Sequence, residues 1–136
     1  MMTLVLLLGL LAPDDGVSAK DLEGVWTGER YTEGKGEPGK GVKIELTFKG
    51  DTVVGRKESK ALIGEATFTI TEGKTIDATG TSGGYKGKTY SGILKIEGDT
   101  LTWCSTGAVG KDKKRPTGYT ASPGEAHYLM VLKRQK

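Results

Sequence analysis

Residues 42–49 read VKIELTFK, a stretch in which apolar and polar side chains alternate without interruption. The apolar side chains fall on one face and the polar side chains on the other, as in an antiparallel strand with one buried face. Gly50 and Asp51 follow, and both residue types tolerate the backbone angles of a tight turn. A second apolar segment begins at Thr52, so this part of the chain predicts a β-hairpin.

The same pattern recurs along the rest of the chain, and no window of about eleven residues sustains the spacing of an amphipathic helix. We predict about eight strands, near residues 23–31, 42–49, 52–57, 62–70, 74–79, 88–97, 100–105 and 126–134. Eight strands suffice to close an up-and-down sheet. The predicted fold is therefore all-β, a small up-and-down antiparallel β-barrel. The alternative, an open two-sheet sandwich, needs longer crossovers than these hairpin-length connections provide.

The composition bounds the class of protein. With 136 residues the chain has room for one domain of ordinary size. Its 20 Lys and Arg against 17 Asp and Glu give a net charge of +3, too small to indicate nucleic-acid binding. The 22 glycines keep no third-residue period, which excludes a collagen-like repeat. A single cysteine and a single histidine exclude an internal disulfide and a clustered zinc site, and no metal or cofactor is implied.

The N-terminal residues differ in kind from the rest. Residues 4–12 form a nearly unbroken apolar run that is too short to span a bilayer as a helix. Val17, Ser18 and Ala19 supply the modest side chains that a signal peptidase accepts. We expect residues 1–19 to be a signal peptide cleaved after Ala19, and 20–136 to be a single secreted or periplasmic domain without a membrane span. The alternative is a buried N-terminal helix.

A Gly-x-Trp motif, Gly24-Val25-Trp26, opens the first predicted strand, and Leu132-Lys133-Arg134 lies in the last one. This pairing resembles the lipocalin and calycin barrels. The resemblance implies that Arg134, or Lys133, lies over the Trp26 ring near the closed end of the barrel. Such a cation–π contact contributes about 0.5–2 kcal/mol and shields the ring from water.

The second half of the chain carries a more specific resemblance. It is similar to the planctomycete-type lipocalin-like domain family of exported proteins, and the similarity extends over residues 21–134. The family has no established activity, so the resemblance implies a fold and export but no reaction. The segments that carry the similarity are Gly92-Ile93-Leu94, Gly98-Asp99-Thr100-Leu101, Cys104, Arg115-Pro116-Thr117 and Leu129-Met130-Val131-Leu132-Lys133-Arg134.

The alternation also assigns an inward face. Aromatic side chains on that face either line a pocket for a small apolar ligand or fill the barrel interior. Four of them, Phe48, Phe68, Tyr90 and Trp103, are the candidate ligand-binding residues. The predicted inward set is Trp26, Val42, Ile44, Leu46, Phe48, Val53, Phe68, Ile70, Ile76, Tyr90, Leu94, Ile96, Leu101, Trp103, Leu129 and Val131.

Two hypotheses of function follow. The first is a non-enzymatic binding module that takes a small hydrophobic ligand at the barrel mouth. The second is a packed structural or interaction domain that meets an envelope protein through two polar rim loops, residues 32–41 and 107–123, which we expect to be mobile. The basic run 111–115 has few aromatic neighbours, so a nucleic-acid partner is not expected. A closed barrel has no edge to pair, which favours a monomer.

Enzymatic readings have little support in the sequence. Cys104 and His127 are the only nucleophile–base pair of the Cys–His type, but alternation with Trp103 turns the Cys104 thiol outward. The alternative interpretation is a small apolar residue covered by a loop and a surface histidine. The carboxylates of Asp51 and Asp99 fall in predicted turns that account for their presence.

Overall fold

The computed structural model describes residues 16–107, 114–122, 124 and 126–136. Within this part of the chain, no helix has the length and apolar character needed to cross a membrane. Its elements in chain order are α1 (Ala19–Leu22), β1 (Gly24–Tyr31), β2 (Val42–Lys49), β3 (Thr52–Lys57), β4 (Leu62–Thr71), β5 (Thr75–Gly80), a 3₁₀ turn (Gly83–Tyr85), β6 (Thr89–Glu97), β7 (Thr100–Thr106) and β8 (His127–Arg134).

The eight strands form a closed barrel in which every strand pairs antiparallel with its sequence neighbours and β1 pairs with β8. The prediction of an up-and-down barrel is confirmed, and the open sandwich is excluded. Closure brings β1 and β8 very close at Gly28, where a Cβ atom would overlap the carbonyl oxygen of Val131. A glycine is therefore required at this point of the seam.

One end of the barrel, here called the lower end, is closed by α1. Ser18 caps this short helix, since its side chain accepts the Asp21 N–H while the Asp21 carboxylate accepts the Ser18 N–H. Leu22 is fully buried beneath the helix, and Val17 is buried beside it. The residues of the expected cleavage motif, Val17 to Ala19, are thus part of the packed structure.

Trp26 lies immediately above this plug and is fully buried. Its indole N–H donates to the Leu22 carbonyl at 2.9 Å. The Arg134 guanidinium lies over the ring, 4.2 Å from the ring centroid, and donates to the carbonyl oxygens of Asp21 and Glu23. One arginine therefore fastens the last strand to both the tryptophan and the plug.

The interior divides into two halves. The lower half holds the large buried side chains, among them Trp26, Phe48, Ile76, Leu101 and Leu132. The upper half mixes small residues with larger ones, such as Arg30, Tyr90 and Tyr128, at the inward positions of the strands. On β3 to β6 these small residues are Gly55, Gly64, Ala66, Ala78, Gly80 and Gly92.

The register corrects the prediction for β8. Trp103 pairs with Met130 and Leu101 pairs with Leu132, so Met130 and Leu132 face inward. Leu129 and Val131 lie on the outer wall, contrary to the predicted inward set, because the strand is apolar on both faces and alternation alone does not choose between them.

The outer face of β8 is covered by residues 114–122, here called the outer strap. Pro116 and Ala121 are buried, and Gly34 of the loop after β1 forms a bridge with Ala121. Arg115 donates to the carbonyls of Ile76 and Gly92 and pairs with Asp77 at 3.0 Å. Within the rim loop 107–123, residues 114–122 are packed against the wall through Pro116 and Arg115.

We predict that Arg134→Ala lowers the free energy of unfolding by about 1–3 kcal/mol, since it removes a cation–π contact and two hydrogen bonds. Urea denaturation followed by tryptophan fluorescence measures the change. Lys133→Ala removes a neighbouring exposed cation and is the matched control, with an expected change near zero. Equal losses in the two variants would contradict the role assigned to Arg134.

Candidate functional site

Three of the four candidate ligand-binding aromatics belong to the packed core. Phe48, Phe68 and Trp103 are buried, and the Phe48 ring meets the Phe68 ring edge-on at 5.6 Å. The Trp103 ring lies 6.2 Å from Phe48 in a tilted arrangement. Phe48 and Phe68 are therefore part of the floor of the interior and do not line an open pocket.

The fourth aromatic, Tyr90, lies higher, in the upper half of the barrel. It is half-buried, pairs with Ala78 across β5 and β6, and contacts the ring of Tyr85 at a centroid distance of 6.0 Å. Burial, followed by the neighbouring Tyr85, raises the pKa of Tyr90, so its phenol is neutral at physiological pH. Sequence analysis did not single out Tyr85, since it lies outside the strands.

Tyr85 lies against the small residues of the upper half. A Cβ atom on Gly64 would come within 2.8 Å of the Tyr85 ring, and one on Gly80 would overlap the Tyr85 backbone. A bulge near Ile63 contributes to the contact between Tyr85 and Gly64, because it turns both Ile63 and Gly64 toward the interior. We name the surface formed by Gly64, Ala66, Ala78 and Gly80 the glycine-alanine patch.

Tyr85 is carried by residues 81–88, which read TSGGYKGK. This Tyr85 segment is tied at its base, because Gly80 donates to the Lys88 carbonyl and Gly87 donates to the Gly80 carbonyl. Gly83 and Gly87 both have a positive φ. Tyr85 is 38% exposed. Its ring covers the patch from the solvent side.

An unpaired polar group lies below Tyr90. Trp103 is 94% buried, and its indole N–H has no hydrogen-bond partner among the described residues. This N–H edge lies beside the inner face of Gly92, two residues along β6 from Tyr90, because a Cβ at Gly92 would be 3.0 Å from the nitrogen. A buried N–H without an acceptor costs about 1–3 kcal/mol, so an acceptor placed here would be favourable.

Two grooves lie on the outer wall of the barrel. One, of about 490 Å³, runs between β1, β2 and the loop after β3, and ion pairs of Lys43 with Glu58 and Lys60 with Glu45 cross it. The other, of about 950 Å³, lies between residues 16–17, β6 and the outer strap. Both are open to solvent.

A tight carboxylate–phenol pair borders the first groove. The Tyr31 hydroxyl donates to Glu29 at 2.6 Å, and Gly39 N–H donates to the same carboxylate. The Tyr31 hydrogen bond, with the backbone donors behind it, lowers the pKa of Glu29. Burial, and then Glu29 itself, raises the pKa of Tyr31 to about 12. The pair holds the loop after β1 against the wall and has no free proton to transfer at neutral pH.

Cys104 and His127 both lie under the outer strap. The Cys104 thiol, fully buried, donates to the Thr120 carbonyl at 3.5 Å, and the His127 Nε2 is 3.0 Å from the Lys114 carbonyl. Burial raises the pKa of Cys104, and the Thr120 contact offsets this only in part. A raised pKa disfavours the thiolate that a hydrolase requires.

The remaining candidate residues have structural surroundings or fall outside the described part. Asp99 pairs with Lys136 at 3.0 Å in the turn before β7, and the Asp51 carbonyl accepts the Phe68 N–H. Residues 111–113 of the basic run lie outside the described residues. In the described part of the chain, no group of three or more His, Cys, Asp or Glu is arranged to hold a metal ion.

Comparisons with known proteins identify no family. No model of a protein family matches the chain, and no curated protein matches it. Among solved structures, the chain is similar to EF1p2_mFAP2b, a structure determined with DFHBI bound. The TM-score is 0.49 at 20% sequence identity, and the alignment covers 86% of this chain and 96% of the other. The similarity to a planctomycete-type family stays a prediction.

We predict that the native Cys104 thiol reacts slowly with Ellman's reagent at neutral pH, because it is buried under the strap and its pKa is raised. The reaction is followed by absorbance with and without denaturant. Unfolded protein is the control and should react at the rate of an ordinary thiol. Fast reaction of the folded protein would contradict the assigned burial and reopen the Cys104–His127 hydrolase hypothesis.

Proposed function

We propose that the protein is a non-enzymatic binding barrel that takes a small hydrophobic ligand at its upper mouth. The observation that carries the proposal is the glycine-alanine patch. Inward positions of the adjacent strands β4 and β5 hold small residues, and the ring of Tyr85, which lies in a glycine-rich turn, covers them. A barrel whose interior only needed filling would carry larger side chains here, as its lower half does. The small residues therefore indicate space reserved for a planar group.

Tyr85 occupies that space in the present structure, so a ligand has to displace its ring. The contacts of Tyr85 suit such an exchange. Its ring is partly exposed, its neighbour Tyr90 offers an edge-on aromatic contact, and glycines at 83, 84 and 87 give the segment backbone freedom. Unpaired Ser82 Oγ in the same segment adds a small cost to the closed position.

The outer grooves support binding less well. Salt bridges already satisfy the charges that cross the first groove, and a ligand there would have to displace them. The second groove is the open edge beside residues 16–17 and has no unpaired buried donor among its described lining residues. The mouth combines an apolar wall, aromatic contacts and an unpaired donor, the usual ingredients of a small-molecule site.

Tyr85→Ala should raise the affinity for N-phenyl-1-naphthylamine, a neutral fluorescent probe, by about three- to tenfold, because the ring that competes for the patch is removed. Fluorescence titration measures the dissociation constant. Leu62→Ala removes another exposed apolar side chain at the upper end and is the control, with no expected change. A lower affinity in Tyr85→Ala would show that Tyr85 is a wall of the site and not its occupant.

Larger side chains in the glycine-alanine patch should weaken binding of the probe. Ala78→Leu and Ala66→Leu place larger side chains where the probe is expected, so each should weaken its affinity at least about tenfold. Thr67→Leu, on the exposed outer face of β4, is the matched control. Thermal unfolding confirms that each variant is folded before titration. Unchanged affinity in the folded Ala78→Leu and Ala66→Leu variants would refute binding at the mouth.

The cellular setting is part of the same proposal. The apolar run at residues 4–12 and the small residues before position 20 favour export to the periplasm or the medium. Since Val17 is buried and Ser18 caps α1, cleavage after Ala19 would remove one core contact and the helix cap. The closed sheet favours a monomer. Raised pKa and burial at Cys104 support a role without covalent catalysis.

A further inference from the structure

We infer that the ligand is an amphiphilic anion, with an aromatic or apolar body that lies on the glycine-alanine patch and an acidic group held at the mouth. This inference rests on the proposed function and adds the class of ligand to it. It is carried by two independent observations: the sign of the charges at the inward strand positions, and the unpaired indole N–H of Trp103 beneath the patch.

Every charged side chain at an inward position of the eight strands is a cation. Arg30 and Lys57 occupy the upper ends of β1 and β3, and Arg134 occupies the lower end of β8. The strand carboxylates all alternate to the outer wall, where Glu29 accepts hydrogen bonds from Tyr31 and Gly39 and Glu45 pairs with Lys60. Inward strand positions that carry one sign of charge attract ligands of the other sign.

Arg134 is already engaged at the lower end, so Arg30 and Lys57 are the cations available to a ligand. The Arg30 guanidinium lies 5.2 Å from the centre of the Tyr128 ring, and both residues occupy inward positions at the upper end. Lys57 is exposed at the upper end of β3, where it also borders the first outer groove. Tyr128 holds the guanidinium by a cation–π contact, and no described residue accepts a hydrogen bond from it, so its N–H groups can meet a carboxylate or sulfonate. The described upper loops also carry the acids Glu33, Glu37 and Glu58, of which Glu58 is paired with Lys43.

The Trp103 N–H supplies a second, neutral donor deeper in the barrel. It is buried without a partner and lies next to Gly92, below Tyr90. A ligand with only apolar atoms would leave this donor unpaired, whereas one with an oxygen or nitrogen acceptor in its body would satisfy it. The donors of the interior therefore select an acceptor-bearing anion over a hydrocarbon.

Two dyes that differ by one sulfonate group test the inference. N-phenyl-1-naphthylamine is neutral, and 8-anilino-1-naphthalenesulfonate is the same framework with a sulfonate. At low salt we expect the sulfonate dye to bind the folded full-length protein about tenfold more tightly. This preference should fall to about threefold or less in Arg30→Gln or Lys57→Gln, and also at high ionic strength. Lys49→Gln, an exposed cation at the lower end, is the matched control and should change nothing.

The outcomes separate the inference from the proposed function. If neither dye binds, the proposed function fails. If both dyes bind with equal affinity, or if the preference survives both Gln variants and high salt, the protein binds small molecules without selecting anions and the inference is overturned. Lys57→Gln guards against a misfolded Arg30→Gln variant, because Lys57 is exposed.

The two indole N–H signals provide the second readout. In a ¹H–¹⁵N spectrum, the Trp103 signal should shift on addition of the sulfonate dye, because its unpaired N–H gains an acceptor or an aromatic neighbour. Trp26, whose N–H is bound to Leu22, is the internal control and should stay in place. A shift of Trp26 with Trp103 unmoved would place the dye outside the mouth and overturn the inference.

Discussion

Closure of the sheet is the constraint on which the rest of the structure depends. Once β1 pairs with β8, the strand number sets the interior volume, and every inward side chain competes for the same space. In the lower half, this space is filled by Trp26, Phe48, Leu101, Leu132 and the plug residue Leu22. In the upper half, part of this space is left to Tyr85, which lies outside the sheet. The buried cluster and the proposed binding site thus lie at opposite ends of the barrel.

Much of the fold could be predicted because half-buried antiparallel strands have a period of two. Residues 42–49 alternate cleanly, and the observed strand β2 has the same bounds. β8 alternates without contrast, since both of its faces are covered, and Leu129 and Val131 were assigned to the wrong face for this reason. The outer cover depends on Arg115 reaching carbonyl groups of β5 and β6, a contact between residues far apart in sequence.

The candidate site was less accessible from the sequence. Inward aromatics are visible in the pattern, but pattern does not separate a ring that fills a core, such as Phe68, from one that borders a mouth, such as Tyr90. Tyr85 carries no periodic signal, because it lies in a 3₁₀ turn. The signal that was available is the run of inward glycines and alanines on β4 and β5, which becomes meaningful only when the register places them side by side.

The division of the interior has a consequence for how such a protein can change over time. Substitutions in the lower half disturb the plug, the Trp26 cluster and closure together, so few are tolerated. Tyr85, Gly64 and Gly80 lie outside that cluster, whereas Ala78 belongs to it and Ala66 packs against it. Under the proposed function, new ligand preferences would arise from changes at a handful of mouth residues, while the rest of the barrel stays the same.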